Sequence, residues 1–164
     1  MSDTGPLRLV EAWQKQDFAL ETAAIGFWRS IGVLPSRVDE RERARQLCVI
    51  AYAEGEVAGL ATLVLRVIPQ VKSKLAMFRC SVSPVHRRLG VAAALAVASR
   101  DISQAWAREH PEQELKGMGC VVQGAELSEK KEQAIWPLSG LNLVGYNTRG
   151  EQIRVVWFKG ATVL

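Results

Sequence analysis

The chain has 164 residues, of which 21 are Lys or Arg and 17 are Asp or Glu, so its formal net charge is +4. This length predicts one domain, spanning residues 1–164, and a hydrophobic share of 48% with a charged share of 23% argues against a disordered chain or a solenoid. The three cysteines, Cys48, Cys80 and Cys120, are too few and too far apart for a disulfide framework or a CxxC zinc site, so a reducing cytoplasm is the expected setting.

Neither membrane attachment nor nucleic-acid binding is indicated. No basic region followed by an apolar stretch opens the chain, so no signal peptide is expected. The longest apolar run, around Leu89–Ala98, is about half of the ~20 residues that a membrane span requires. A charge of +4 without a dense Lys/Arg stripe does not favour nucleic acid, and the strands around Ala93–Glu109 leave no room for a compact helix-turn-helix.

The chain opens with a strand and a helix. The short apolar run Leu7–Val10 predicts the strand, and apolar residues at three-to-four spacing predict a helix over Asp17–Ser30. Gly32 and Pro35 are expected to end this helix.

A second helix is predicted over Arg37–Leu47, with Ser36 as its cap. Its charged run, Asp39–Arg43, is expected to be a solvated face.

Three extended segments and a long helix follow. Cys48–Ala53 and Val57–Ile68 flank the turn Glu54–Glu56, where glycine permits the positive φ of a hairpin. Lys74–Val82 predicts the third strand, and an Ala-rich helix runs from Gly90 to about Glu109.

The last part of the chain predicts three more strands and a short helix. Leu115–Val122 is a strand, Ser128–Trp136 a helix capped by Ser128, and Asn142–Tyr146 with Gln152–Lys159 a final hairpin. Hairpins that alternate with crossover helices predict an α/β fold. We expect a single mixed, mostly antiparallel sheet of about seven strands with helices on both faces.

The loop before the long helix carries the clearest chemical signal. The first backbone N–H groups of a helix lack intrahelical partners and attract anions. Gly90 and Ala92 let a phosphate approach the backbone closely, while Arg87 and Arg88 add cationic donors, so the loop predicts a pyrophosphate site. Neither GxxxxGK[ST] nor GxGxxG is present, which excludes the usual triphosphate and dinucleotide loops.

With these residues the chain resembles the GNAT superfamily of acyl-CoA-dependent N-acetyltransferases. The family's loop, [QR]-x-x-G-x-[GA] after a strand that ends in Val, is matched by Arg87–Ala92 after Val82. The family's G-[FL]-x-x-x-G-[YF] segment is matched by Gly140–Tyr146, and the order of elements agrees over the whole chain.

The resemblance implies acetyl-CoA as co-substrate, direct transfer of the acetyl group without a covalent enzyme intermediate, and no metal. The backbone of the loop would hold the pyrophosphate, and the strand before it would hold pantetheine. That strand would also splay from Leu115–Val122. The implied binding residues are Cys80, Ser81, Val82, Arg87, Arg88, Leu89, Gly90, Val91 and Ala92. The first two helices and the loop Pro69–Ser73 would face the acceptor.

No catalytic residue is assigned, because the family's usual groups are missing. Trp136 stands where many members have a Tyr that protonates the thiolate, and an indole N–H is a far poorer acid. Leu75–Met77, where some members carry a carboxylate base, contains no acid. His86 is expected to contact phosphate or solvent, and Tyr52 and Tyr146 are expected to be packed aromatics.

Two functions therefore remain open. The first is an N-acetyltransferase that modifies a primary amine of a small molecule or a protein. The alternative is an acyl-CoA-binding or sensing module with little or no turnover, which the missing Tyr and carboxylate favour. Val155–Lys159 is a candidate edge strand for a homodimer.

Overall fold

The computed structural model describes residues 6–87, 90–123 and 131–163. The strands are β1 (Arg8–Glu11), β2 (Leu47–Ala53), β3 (Glu56–Ile68), β4 (Ser73–Val82), β5 (Leu115–Val121), β6 (Asn142–Tyr146) and β7 (Gln152–Trp157). The α-helices are α1 (Phe18–Ile31), α2 (Glu40–Ala44) and α3 (Val91–Glu109), with short 3₁₀ turns at Pro84–His86 and Pro111–Gln113.

The strands form one seven-stranded sheet in the order β1-β2-β3-β4-β5-β7-β6. β4 and β5 pair in parallel, whereas β1–β2, β2–β3, β5–β7 and β6–β7 pair antiparallel. The parallel register runs from Lys74↔Leu115 to Met77↔Gly119. This arrangement confirms the predicted mixed sheet.

The chain divides into two compact units. Unit 1 comprises Met1–Leu63 and Arg79–Ile102, and unit 2 comprises Val64–Phe78 and Ser103–Leu164. Among the residues that the structure describes, no helix is long and apolar enough to cross a membrane.

Unit 1 has helices on both faces of β3. Leu60 lies in an apolar cluster with Ile25 and Trp28 of α1. The preceding residue, Gly59, points to the opposite face, since strand residues alternate. A Cβ at Gly59 would lie 2.8 Å from the Ser81 carbonyl oxygen and 2.9 Å from Val91 of α3, so only glycine permits this close approach.

The turns and caps in unit 1 follow from local chemistry. Asp17 caps α1 by accepting a hydrogen bond from the Leu20 N–H at 3.1 Å, and Gly32 ends it with a φ of +64°. Glu54 and Gly55 both have positive φ, the combination that a type I′ hairpin turn requires.

The second helix is shorter than expected. The chain first makes a turn in which the Val38 N–H donates to the Pro35 carbonyl, so Ser36 does not cap α2. Asp39 is the cap and accepts from the N–H groups of Arg41 and Glu42. The charged run is also not uniformly solvated, because Arg41 and Arg43 are half-buried.

Unit 2 differs from the expectation between β5 and β6. The predicted cap Ser128 lies outside the described residues, and residues 131–136 form no helix. This stretch instead pairs antiparallel with the residues at the start of β6. The Trp136 N–H donates to Leu141 O at 3.0 Å, and the Leu143 N–H donates to Ala134 O at 2.9 Å. The guanidinium of Arg154 donates hydrogen bonds to the carbonyl oxygens of Lys131, Gln133 and Ala134. In a helix, such carbonyl groups would accept hydrogen bonds from the helix itself.

The proposed edge strand is also misplaced. β7 contains Val155 and pairs on one side with β5 and on the other with β6, so it lies inside the sheet. The strands at the two ends of the sheet are β1 and β6.

Candidate functional site: the loop before α3

The loop begins with a sharp turn at the end of β4. The Ser83 N–H donates to the Ala58 carbonyl oxygen at 2.8 Å, which ties the start of the loop to β3. The His86 N–H donates to the Ser83 carbonyl oxygen at 2.8 Å and closes the 3₁₀ turn. Arg87 follows in helical conformation and is exposed. All of these residues belong to unit 1.

Gly90 turns the chain into α3. Its φ of +68° is readily adopted only by glycine, and a Cβ built on it meets no atom within 4 Å, so open space lies beside it. The Ala94 N–H donates to the Gly90 carbonyl at 3.0 Å. The N–H groups of Val91 and Ala92 come before this bond and have no intrahelical partner. The positive end of a 19-residue helix dipole therefore opens at Gly90.

His86 contributes a further polar atom to the loop. Its Nδ1 is buried and has no hydrogen-bond partner in the described part of the chain. The expected contact of His86 with phosphate or solvent stays a prediction.

The other predicted binding residues lie on either side of this turn. Cys80, Ser81 and Val82 are half-buried at the end of β4, and Val91 and Ala92 begin α3. Unit 1 thus brings the described members of the set onto one strand-loop-helix junction. Arg88 and Leu89 lie outside the described residues.

We assign no catalytic proton donor or acceptor among the residues that the structure describes. Trp136 lies with its ring 4.2 Å from the Arg154 guanidinium. The expectation of a packed Tyr146 is wrong: Tyr146 is 56% exposed on the end strand β6. Tyr52 is half-buried, and the guanidinium carbon of Arg8 lies over its ring, 4.6 Å from the ring centroid.

The buried Cys48 thiol is also an unsuitable nucleophile. Burial raises the pKa of Cys48 to about 12, a hydrogen bond with Ser99 acts in the opposite direction, and the charge of Glu11 raises the pKa further. Thiols react as thiolates, so this group is inert near neutral pH. The described residues hold no group of three or more His, Cys, Asp or Glu side chains that could bind a metal ion.

A cavity of about 450 Å³ lies elsewhere in unit 1, between the start of α1 and the end of α2. Leu47 lines it and pairs with Thr62, whereas the loop before α3 is tied to Ala58. Thr62 and Ala58 are four residues apart on β3, which corresponds to roughly 13 Å along the strand. The cavity is therefore separate from the loop before α3.

No protein-family model and no curated protein matches the sequence. Solved structures do match it. The GNAT-family acetyltransferase from Streptococcus pneumoniae has a TM-score of 0.56 at 12% identity, and the match covers 93% of this chain and 100% of that one. The phosphinothricin acetyltransferase from Sinorhizobium meliloti, solved with acetyl-CoA, has a TM-score of 0.61 at 17% identity over 96% of this chain and 93% of that one.

A third match is the diaminobutyrate acetyltransferase from Paenibacillus lautus, solved with L-2,4-diaminobutyric acid and coenzyme A. Its TM-score is 0.54 at 14% identity, with 93% of this chain and 95% of that one covered. These proteins share the layout of the sheet and its helices with this chain at low sequence identity. The chain has the fold of the GNAT superfamily of acetyltransferases.

Proposed function

We propose that the chain is an acetyl-CoA-dependent N-acetyltransferase that acts on a primary amine. The observation that carries the proposal is the conformation of Gly90, which has a positive φ and open space beside it at the N-terminus of α3. A helix N-terminus in such a position suits a pyrophosphate. Two of the similar structures were solved with acetyl-CoA or coenzyme A, which supports the choice of ligand.

In this proposal the backbone N–H groups of Arg87–Ala92 bind the pyrophosphate of the co-substrate. His86 Nδ1 adds a hydrogen bond in the tautomer that carries its proton there. The backbone of Cys80–Val82 binds the pantetheine arm. We also infer that residues 1–164 act as one domain in the cytoplasm, with a small molecule or a protein as acceptor.

The reaction forms one bond and breaks one. The neutral amine nitrogen attacks the thioester carbonyl carbon, the C–N bond forms, and the C–S bond breaks. An ammonium substrate loses one proton to water before attack and a second proton from nitrogen afterwards, and the departing thiolate takes up one proton. Water performs these transfers in the proposal, since no side chain is assigned to them.

Titration calorimetry with acetyl-CoA, free CoA and ATP tests the binding step. We expect acetyl-CoA to bind selectively, and Gly90→Glu to weaken binding at least about tenfold more than Gly90→Gln. Both substitutions carry the same positive-φ strain and similar bulk, so their difference isolates the carboxylate in the phosphate site. Equal affinities for the two variants would rule out a pyrophosphate at Gly90.

Trp136→Tyr tests whether turnover is limited by the missing acid. Because the Trp136 ring packs on Arg154, we expect kcat for acetylation to stay within about twofold of wild type, whereas a general acid typically contributes about a hundredfold or more. A gain of that size would show that the tyrosine position is catalytic. Acetyl-CoA binding without acetylation of any amine in a broad panel would instead support the acyl-CoA-binding module.

A further inference from the structure

We infer that Arg43 and Arg79 form an anion site in unit 1, and that the acceptor is an amine that also carries a carboxylate or a phosphate. The identity of the ligand as acceptor rests on the proposed function. The anion site itself rests on the surroundings of the two arginines.

Arg43 holds an unsatisfied donor. It is half-buried near the end of α2, and its Nε atom is buried without a hydrogen-bond partner among residues 6–87, 90–123 and 131–163. Buried guanidinium N–H groups are normally paired, and an unpaired one calls for a structural explanation. A bound anion would supply the missing acceptor.

Arg79 adds a second positive charge near Arg43. It is exposed on β4, and no acid pairs with it in the described part of the structure. Burial lowers the pKa of Arg43, and the nearby positive charge of Arg79 lowers it further. The two guanidinium groups therefore repel each other, and no salt bridge within the described ranges offsets this repulsion.

Three of the charged groups near Arg43 along the chain are engaged elsewhere. The exposed Glu42 precedes Arg43 directly, but it forms no salt bridge with Arg43 among the described residues. Glu40 binds Arg29 at 2.6 Å, and the Asp39 carboxylate caps α2. Arg41 lies over the Phe18 ring, with its guanidinium carbon 4.4 Å from the ring centroid. None of these contacts neutralises the pair formed by Arg43 and Arg79.

The pair lies where an acceptor would have to approach. Arg79 directly precedes Cys80–Val82, the segment proposed to hold pantetheine, and it is three strand residues or roughly 10 Å from Val82. Gln46 follows α2 and donates its backbone N–H to the Arg43 carbonyl oxygen at 3.1 Å. Its Oε1 is a second buried atom for which the described residues supply no partner. An amide oxygen accepts N–H groups, so the stretch offers donors for an anion and an acceptor for an amine.

Guanidinium groups suit this task because each presents a planar fork that can bind carboxylate or phosphate through two hydrogen bonds. Removing one such charge-assisted contact typically weakens binding by about tenfold to a hundredfold. The site therefore predicts strong discrimination between amines that differ only in their anionic group.

Two matched pairs of amines test the inference on the full chain with saturating CoA. L-2,4-diaminobutyrate is compared with 1,3-diaminopropane, and O-phosphoethanolamine with ethanolamine, by calorimetry. In at least one pair, we expect the amine that carries the carboxylate or phosphate to bind at least about tenfold more tightly than the amine that lacks it. The pair that shows the preference identifies carboxylate or phosphate as the group recognised.

Variants then assign the preference to residues. Arg43→Gln and Arg79→Gln should each remove most of it, whereas Arg37→Gln, at an exposed arginine before α2, should leave it intact. Urea unfolding verifies that each variant is folded, and exposed Arg79 provides a substitution that disturbs no buried group. No preference in the wild type, or the same preference in all three variants, would overturn the inference.

Acetyl-CoA titrations on the same samples separate the two proposals. A preference for the anionic amine that depends on Arg43 and Arg79, without any binding of acetyl-CoA, would refute the acetyltransferase and retain the anion site. Acetyl-CoA binding with no preference among the amines would refute the anion site and leave the acetyltransferase standing.

Discussion

Arg154 in unit 2 and Arg43 in unit 1 are both removed from solvent at least in part, but they differ in the hydrogen bonds that their guanidinium groups make. Arg154 is 0% exposed, and its guanidinium donates to Gln133 O at 2.6 Å, to Gln152 Oε1 at 3.1 Å and to three further carbonyl oxygens. Arg43 is only half-buried, yet its Nε has no partner in the described residues. The first side chain is satisfied by the fold, whereas the proposed anion would pair with the second.

The difference separates a structural charge from a binding charge. Burying a charge is tolerated when hydrogen bonds replace its hydration, as the carbonyls around Arg154 do. A charge left without such bonds lowers stability, and natural proteins accept that loss mainly at functional sites. Stability measurements can therefore test which kind of charge each arginine is.

Arg154→Met should cause the largest loss. The substitution leaves the carbonyls of Lys131, Gln133 and Ala134 without their donor, and breaking a buried network of this kind costs about 3–5 kcal/mol. The free energy of unfolding in urea measures the effect. Arg149→Met, at an exposed arginine in the β6–β7 turn, is the control and should change stability by less than about 0.5 kcal/mol. Equal effects of the two substitutions would contradict a structural role for Arg154.

Cys48 differs from both arginines, because its buried thiol stays neutral by retaining its proton. Its folded-state pKa is raised from 9.0 to about 12, so the folded chain retains a proton that the unfolded chain releases. Stability must therefore fall as pH rises above 9.0, by about 1.4 kcal/mol per pH unit at most. Relative to Cys48→Ala, the wild type should lose about 2–3 kcal/mol between pH 9 and 11.

Urea unfolding of both proteins across this pH range isolates the thiol, because lysines and tyrosines contribute equally to each. A difference that stays constant with pH would mean that Cys48 titrates normally in the folded protein.

Arg43→Met should have the smallest effect on stability. It removes a half-buried charge that is repelled by Arg79 and whose Nε has no partner within the described ranges. The free energy of unfolding should therefore change by less than about 0.5 kcal/mol or rise slightly. The thermal midpoint at low and high salt is the measurement, since salt screens the repulsion in the wild type. A loss of stability as large as that of Arg154→Met would show that Arg43 has a structural role like that of Arg154, and would contradict its assignment as a binding residue.

The sequence predicted most elements because their signals are local. Asp17 and Gly32 mark the ends of α1, and alternation marks β4, so each lies within a few residues of its prediction. The loop at Arg87–Ala92 was predicted by a short contiguous motif, and Gly90 has the backbone conformation that only glycine adopts easily.

The errors have tertiary causes. The stretch 131–136 has helix-forming residues, but the Arg154 side chain from a distant strand takes its carbonyl groups. The charge pattern of Asp39–Arg43 looks uniformly polar, and the proximity of Arg43 to Arg79 arises only when β4 is in place. Contacts between residues far apart in sequence leave no periodic signal.

The parallel pairing of β4 with β5 has a consequence for how the chain folds. The hairpins β2–β3 and β6–β7 close short loops, so their loop-closure entropy is small and they can form early. β4 and β5 are separated by the whole of α3, and their contacts can form only after that crossover has closed. We therefore expect the rate of folding to be set by this crossover, with the hairpins already present in the transition state.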